Sequence, residues 1–218
     1  MKTINVNSFK FKAVGDFLLK NHEKAYKSPQ KAKNIAERAE MEKLFKAGQI
    51  SNKVFNEELS LLAEKNNLYD VRNRNFLDGS FTKIRSYYWV QLKSAEYYSY
   101  PESISVFCEV VEQKQIRYRV SLEINENAAS ADDMEMFLTA LEKPLNKELC
   151  YLGSKKYGHR LEILSFNKKV IKEKIKAGEY SRVQISYLVK KCESDTDLLK
   201  ELDKGIKLLL PYYKYIME

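Results

Sequence analysis

Apolar and polar residues alternate along three stretches in the middle of the chain. In residues 83–92, one face of the pattern is apolar and the other is basic and aromatic. The apolar face is formed by Ile84, Tyr88, Val90 and Leu92, and the other face by Lys83, Arg85, Tyr87, Trp89 and Gln91. The same period of two covers residues 103–111 and 116–124. Because side chains alternate between the faces of a strand, each stretch predicts a strand with one buried face.

Turn signals between these stretches predict how the strands pair. The polar turn at residues 112–115 joins the second and third strands, which predicts an antiparallel hairpin. A further hairpin is predicted over residues 149–165, around the sequence LGSKKYGHR, and another strand over residues 183–190.

Helix signals dominate the first 66 residues. Ser28 and Pro29 form a helix start, with serine as the N-cap and proline at the first helical position. Gly48 is a typical left-handed helix end, and Ser51 can cap a following helix. The pattern therefore predicts a helical hairpin over residues 28–66.

Three more helices are predicted after the third strand. Ser130 caps one, a basic helix covers residues 167–177 and ends at Gly178, and the last helix begins at Ser194. Pro211 lies within the pattern of the last helix. It predicts a kink or a break there, because proline has no backbone N–H and its ring clashes with the preceding turn.

Together these elements predict an α+β fold. We expect a curved antiparallel or mixed sheet packed by helices, with an N-terminal helical hairpin. The expected organisation is a helical N-terminal region, residues 1–66, followed by an α+β domain, residues 67–218.

Charge and hydropathy narrow the class of partner. The formal net charge of +8 favours a polyanionic partner such as nucleic acid. The chain contains no run of about 18 apolar residues, so no membrane span is expected. The N-terminal sequence lacks the apolar core of a secretory signal, which predicts a cytoplasmic protein.

Cysteine and histidine usage predicts no metal or other cofactor. The three cysteines are Cys108, Cys150 and Cys192, and they are far apart in the sequence. They form no CxxC zinc motif and no disulfide framework, so we expect reduced thiols. The two histidines are too few to complete a typical Cys/His site.

The basic and aromatic face of residues 83–92 is the strongest candidate site. Six aromatic rings lie between Tyr87 and Tyr100, and Trp89 is the only tryptophan in the chain. Lys83 and Arg85 can neutralise phosphates, while Tyr87 and Trp89 can stack on unpaired bases. The alternative is that a helix covers this face and that the rings are core.

The predicted hairpin tip at residues 153–160 is a second basic site. It contains Lys155, Lys156, Tyr157, His159 and Arg160. A loop of this composition can contact phosphates, although basic hairpin tips are also common as solvated turns. We expect His159 to be a surface residue rather than a catalyst.

Two further functions remain open at this stage. Glu112 and Lys114 have the Glu-x-Lys spacing of one class of metal-dependent nuclease, although they lie on a predicted turn. The other possibility is a protein-interaction module that docks a partner through residues 1–66. The chain has no GxxxxGK[ST] phosphate loop and no HExxH or GxSxG motif.

The stretch LDGSFTKIRSYYWVQL and the sequence after it resemble the N-terminal DNA-binding domain of McrB-type modification-dependent restriction proteins. The residues that match the family's opening motif are Gly79, Ser80, Phe81, Thr82 and Ile84. Tyr88 or Trp89 falls near the family's pocket tryptophan, and Tyr100-Pro101 near its Tyr-Pro element. Asp78 stands where the family can place an intercalating aromatic residue. The resemblance covers roughly residues 68–216.

The resemblance implies an α+β domain that recognises methylated cytosine by flipping the base into an aromatic pocket. It implies a recognition module in a restriction or anti-phage defence system, with DNA and a nuclease or motor protein as partners, and no catalytic residues of its own. Base-stacking or pocket residues would be Tyr87, Tyr88, Trp89 and Tyr157. Phosphate contacts would be Lys83, Arg85, Arg117, Arg119, Lys155, Lys156 and Arg160.

Overall fold

The computed structural model describes residues 10–73, 75–79, 82–112, 115–124, 130–155 and 161–217. Within these residues there are five α-helices and seven strands. The helices are α1 (Lys10–Asn21), α2 (Ile35–Lys65), α3 (Ala131–Ala140), α4 (Lys168–Lys176) and α5 (Asp195–Met217). The strands are β1 (Tyr69–Asn73), β2 (Tyr87–Lys93), β3 (Glu102–Val111), β4 (Gln115–Ile124), β5 (Cys150–Lys155), β6 (Glu162–Leu164) and β7 (Tyr180–Leu188).

The seven strands form one open sheet, and every described pair of neighbours is antiparallel. Their order is β1-β2-β3-β4-β7-β5-β6, so β7 inserts between the central meander and the β5–β6 hairpin. This arrangement confirms the α+β class and the predicted strands on both sides of the polar turn. The strand β1 was not predicted.

One face of the sheet is apolar and carries the helices. Its central rows contain Val90, Val106, Val120 and Tyr187, which are neighbours across β2, β3, β4 and β7. These residues are at most 2% exposed. The helices α1, α2 and α5 contact this face directly, and α3 packs against α5. The core is thus one layer of helices on one side of the sheet.

The helical N-terminal region is confirmed, but its turn lies elsewhere than predicted. Ser28 and Pro29 introduce a 3₁₀ turn at Pro29–Lys31, and α2 instead begins after Asn34, whose side chain accepts a hydrogen bond from Glu37 N at 2.8 Å. The helix then continues through Gly48 for 31 residues. The predicted helix end at Gly48 is therefore wrong, and the hairpin is formed by α1 and α2.

Gly48 is required by packing rather than by a turn. A Cβ atom at this position would lie 2.5 Å from Cδ2 of Phe76, which is only 1% exposed. The glycine lets the ring of Phe76 lie directly on the backbone of α2. A close approach of this kind is a second reason for glycine besides positive φ.

Of the kink or break predicted at Pro211, the break does not occur, since α5 runs through the proline to Met217. Tyr212, Tyr213 and Ile216 beyond the proline are all at most 5% exposed. The hydroxyl of Tyr212 also donates to the carbonyl oxygen of Pro144 at 2.7 Å. The burial of this last turn offsets the missing hydrogen bond at Pro211.

Candidate functional site

The other face of the sheet is polar along its central strands, yet its side chains are buried. Ser105 on β3, Ser121 on β4 and Ser186 on β7 are successive neighbours in the sheet and are completely shielded from solvent. The hydroxyl oxygens of Ser121 and Ser186 lie 2.7 Å apart. Such small side chains leave room for longer ones above them. We call this side, defined by Trp89, the three serines, Glu123 and Gln184, the polar face.

Glu123 is the centre of the hydrogen bonding on the polar face. Its Oε1 accepts from Trp89 Nε1 at 2.8 Å and from Ser105 Oγ at 2.7 Å, and its Oε2 accepts from Gln184 Nε2 at 2.6 Å. Trp89 and Glu123 lie on β2 and β4, so the indole reaches across β3. Trp89 is 8% exposed and Glu123 is 9% exposed. Because every donor is on a strand, the sheet fixes the geometry of the cluster.

Arg119 links this cluster to a second carboxylate. Its Nη1 donates to Gln184 Oε1 at 2.8 Å, and its Nε donates to Glu109 Oε1 at 2.8 Å. The guanidinium carbon lies 3.6 Å from the centroid of the Phe107 ring. Arg117 Nε also donates to Glu109 Oε1, at 2.8 Å. These charges are paired and hydrogen-bonded, as burial requires.

Arg117 and Arg119 were expected to contact phosphates, but both donate hydrogen bonds to Glu109 within the protein. Arg119 is only 2% exposed, so the expectation that it meets a phosphate at the surface does not fit its position. The reason is that Phe107 and Gln184, which sequence reasoning did not consider, enclose its guanidinium. Arg117 is partly exposed, with a side chain that is 22% accessible.

Trp89 lies on the face that the alternation predicted, and Tyr88 lies on the opposite one. Tyr88 is completely buried between Phe17 of α1 and Phe55 of α2, with ring centroids 6.5 Å and 5.5 Å away. Burial raises the pKa of its hydroxyl well above the usual range. The expectation that Tyr88 stacks on a base is therefore wrong, because two helices cover its ring.

Lys83, Arg85 and Tyr87 lie together at the start of β2. Lys83 Nζ contacts Glu23 Oε2 at 2.5 Å, and this hydrogen bond raises the pKa of the lysine. Arg85 Nε donates to the carbonyl oxygen of Leu77 at 2.7 Å, while its guanidinium lies 5.9 Å from the centroid of Tyr87. These three residues lie close together, as predicted. The ammonium of Lys83 and the guanidinium of Arg85 each already have a partner within the protein.

Lys155 is at the opposite end of the sheet from this group. It ends β5, where it pairs with Tyr180 at the start of β7, and its side chain is exposed. Lys156, Tyr157 and Arg160 were expected to join it, and His159 belongs to the same predicted tip. All four lie outside the described residues. Among the described candidates, Lys155 thus lies at one end of the sheet and Lys83, Arg85 and Tyr87 lie at the other.

Sequence reasoning did not identify several residues of the polar face as part of a site. They are Ser105, Ser121, Glu123, Gln184 and Ser186, and Phe107, which packs against Arg119, was also missed. A signal existed, because Ser105, Ser121 and Ser186 occupy the polar positions of three alternating strands. Small residues there indicate a face that is closely covered rather than open to water. Their alignment across the sheet depends on strand order, which a single sequence does not give.

Two other features that the sequence bears on are metal-binding groups and membrane-spanning helices. In the part of the chain that the structure describes, no group of three or more histidine, cysteine or acidic residues could hold a metal ion. Glu112 is described and Lys114 lies outside the described residues, so the nuclease hypothesis stays a prediction. Among the described helices, none is both long and apolar enough to cross a membrane.

Comparisons with protein-family models, curated proteins and solved structures found no match to this chain. The resemblance to McrB-type domains therefore stays an expectation.

Proposed function

We propose that this protein is a DNA-binding recognition module whose polar face receives an extruded base. The observation that carries the proposal is the position of Trp89 over Glu123 and the serine row, with Gln184 beside them. A protein that reads a flipped base needs an aromatic ring for stacking and polar groups for the base edge. Both are present here on the same face of the sheet, with the ring on β2 and the polar groups on β3, β4 and β7.

The chemistry of the cluster suits cytosine. A carboxylate accepts a hydrogen bond from the exocyclic amino group of cytosine, and an amide can both donate and accept. Glu123 and Gln184 provide these two functions, and their oxygens and nitrogens currently bond to Trp89, Ser105, Arg119 and each other. An entering base takes the place of the indole N–H on Glu123, which keeps the buried carboxylate satisfied.

The context of this activity is taken from the resemblance. McrB-type domains read methylated cytosine for restriction proteins, and we extend that role, in restriction or anti-phage defence with a nuclease or motor partner, to this chain. The net charge of +8 supports the same class of partner, because cations that displace condensed counterions drive DNA binding.

The test is DNA binding by fluorescence anisotropy with matched duplexes, with and without 5-methylcytosine, at two salt concentrations. We expect tighter binding of the modified duplex at both salts. Trp89→Ala should weaken that binding by about 1–3 kcal/mol, the usual contribution of one stacked base. Glu123→Gln keeps the size of the side chain but removes its charge, so it should weaken binding of both duplexes, because cytosine and 5-methylcytosine carry the same exocyclic amino group.

Each outcome has a defined meaning. Equal binding of both duplexes with strong salt dependence would reduce the protein to a general DNA-binding module. Lack of binding at low salt would overturn the proposal. Unchanged affinity in Trp89→Ala would remove the polar face from the interface.

A protein-interaction module without nucleic-acid binding is the second candidate. It is favoured by three exposed apolar residues on α2: Ile35 is 88% exposed, Ile50 is 58% exposed and Leu61 is 63% exposed. This candidate predicts that the anisotropy experiment gives no binding and that the polar face serves only to hold the sheet together.

A further inference from the structure

One end of the sheet brings together exposed or partly exposed aromatic and basic residues from distant parts of the chain. At this end β2 and β5 finish, β3 and β7 begin, and α4 leads into β7. We call it the rim, defined by Tyr98, Tyr100, Lys155, Lys174 and Arg182. The strand pairings bring the end of β2 and the end of β5 to the same end of the sheet. Tyr98 and Tyr100 lie in the turn that follows β2, and Lys174 lies in the helix that precedes β7.

The aromatic side of the rim is a turn that the protein holds rigidly. Lys93 on β2 is 6% exposed, and its Nζ donates to the carbonyl oxygens of Tyr98, at 3.2 Å, and Tyr100. Tyr97 anchors the same turn on α5 through an edge contact with Tyr213 at 6.1 Å. The brace uses the backbone of the turn, so the ring of Tyr98 faces solvent, while the ring of Tyr100 makes an edge contact with Tyr97 at 5.8 Å and keeps the rest of its surface exposed.

Those two rings are exposed although the turn is fixed. Tyr98 is 61% exposed and Tyr100 is 41% exposed. Exposed tyrosines on a braced backbone have already lost part of the conformational entropy that binding would otherwise cost. Rings of this kind stack on unpaired bases without requiring a particular sequence.

The basic side of the rim is separated from the tyrosines by the ends of the central strands β3 and β4. Lys155 and Arg182 are exposed residues at the rim ends of β5 and β7, and Lys174 is near the end of α4. Lys155 lies 3.9 Å from Glu162, and Lys174 lies 2.5 Å from Glu179. Surface ion pairs of this type are weak, so a phosphate can replace these carboxylates at little cost.

Strand spacing sets the distance between the two sides. From β2 to β5 there are four steps between neighbouring strands, which at about 4.8 Å each span about 19 Å. Glu123 is near the rim end of β4, midway along this span. A base bound at Glu123 thus has the tyrosines on one side of it and the cations on the other.

We infer that the unpaired strand next to the extruded base runs along the rim, stacks on Tyr98 and Tyr100, and places its phosphates near Lys155, Lys174 and Arg182. This inference rests on the proposed function, and it adds the path of the DNA strand and the class of nucleic acid bound there. The partner is a short unpaired segment, because stacking on the tyrosines requires bases with open faces.

The experiment compares two double variants on a single-stranded DNA probe by fluorescence anisotropy over a range of salt concentrations. Tyr98→Ala with Tyr100→Ala removes two stacking rings and should weaken binding by about thirty-fold or more, with the salt dependence unchanged. Lys155→Ala with Arg182→Ala should reduce the slope of log K against log salt by about 1.4, since each phosphate contact on a single strand contributes about 0.7.

Matched controls separate these effects from damage to the fold. Tyr98→Phe with Tyr100→Phe keeps the rings and should bind like the wild type. Lys43→Ala with Lys46→Ala removes two exposed cations from α2, away from the rim, and should leave the salt slope unchanged. Far-UV circular dichroism and denaturation of each variant confirm that the sheet is intact.

The outcomes distinguish this inference from the proposed function. If the wild-type protein binds no DNA, both fail together. If the wild type binds and depends on Trp89, but both rim variants bind normally, the rim path is wrong and the base-reading proposal stands. If the phenylalanine variant binds as weakly as the alanine variant, stacking does not explain the tyrosines and the inference is overturned.

Discussion

Gly48 shows how a single residue can have opposite effects on a helix and on the packing around it. Within an isolated helix, glycine costs about 1 kcal/mol relative to alanine. In this protein the position is buried against Phe76, and an added methyl group would overlap its ring. The local preference and the tertiary contact therefore favour different residues.

We expect Gly48→Ala to destabilise the protein by about 1–3 kcal/mol, because overpacking in the core exceeds the gain in helix propensity. Urea denaturation measures this change in the free energy of unfolding. Gln49→Ala, at an exposed position on the same helix, is the control and should change stability little. A stabilised Gly48→Ala protein would contradict the close packing of Phe76 on α2.

The neighbouring residues Tyr88 and Trp89 show what sequence can predict about a site. Alternation correctly assigned them to opposite faces of β2, with Tyr88 beside Val90 and Leu92. The alternation could not show which side chains or helices pack against each face of the strand. Tyr88 was expected at the pocket only through the resemblance. Its burial depends on α1 and α2, which are far from it in the chain.

At the scale of elements, the sequence predicted the central strands but missed β1, and it placed helix ends wrongly at Gly48 and Pro211. The alternation of β4 is strong over its whole length, because one face of the strand is buried by helices and the other by serines and their partners. Gly48 and Pro211 are local signals for helix ends, and both were outweighed by burial of the helix beyond them. Such tertiary contacts cannot be read from a local signal.

The contact between α2 and α5 gives a prediction about pH. Asp203 on α5 is buried, which alone would raise its pKa. Hydrogen bonds from Lys207 and Lys65, each at 2.8 Å, and from Asn66 outweigh the burial and lower its pKa to about 2. Because the folded pKa is below the unfolded value of 3.8, this carboxylate stabilises the fold above pH 3.8.

We expect Asp203→Asn to lower the free energy of unfolding by about 1–2 kcal/mol at neutral pH. The difference from the wild type should shrink as the pH falls from about 4 toward 2, where the aspartate becomes protonated. Denaturation curves measured at several pH values give this difference directly. A difference that stays constant down to pH 2 would mean that the charge of Asp203 does not hold α2 to α5.

At the scale of the whole molecule, the N-terminal helices are part of the same core as the sheet. Phe11 of α1 contacts Tyr118 of β4 at a centroid distance of 5.9 Å, and Phe55 of α2 contacts Tyr88 of β2 at 5.5 Å. Asp195 at the start of α5 also accepts hydrogen bonds from the backbone N–H groups of Lys10 and Phe11. Residues 10–65 therefore cover the sheet rather than extend from it.

We expect a protein that contains only residues 67–218 to be unstable or aggregated, because Tyr88, Val106 and Cys108 would lose much of their cover. Size-exclusion chromatography and circular dichroism of the shortened protein test this. Addition of residues 1–66 as a separate peptide should restore the native spectrum. A soluble and cooperatively folding 67–218 fragment would show that the helices are a removable appendage.

The hydrogen bond between Trp89 and Glu123 gives the protein a built-in optical reporter. The chain has only one indole, so emission excited beyond the absorption band of its tyrosines comes from a single known place on the polar face. Any event that moves the ring away from the carboxylate changes the polarity around this indole. Occupation of the polar face can thus be followed in the unlabelled protein, with Phe107 and Ser105 as neighbours to alter when the signal is assigned.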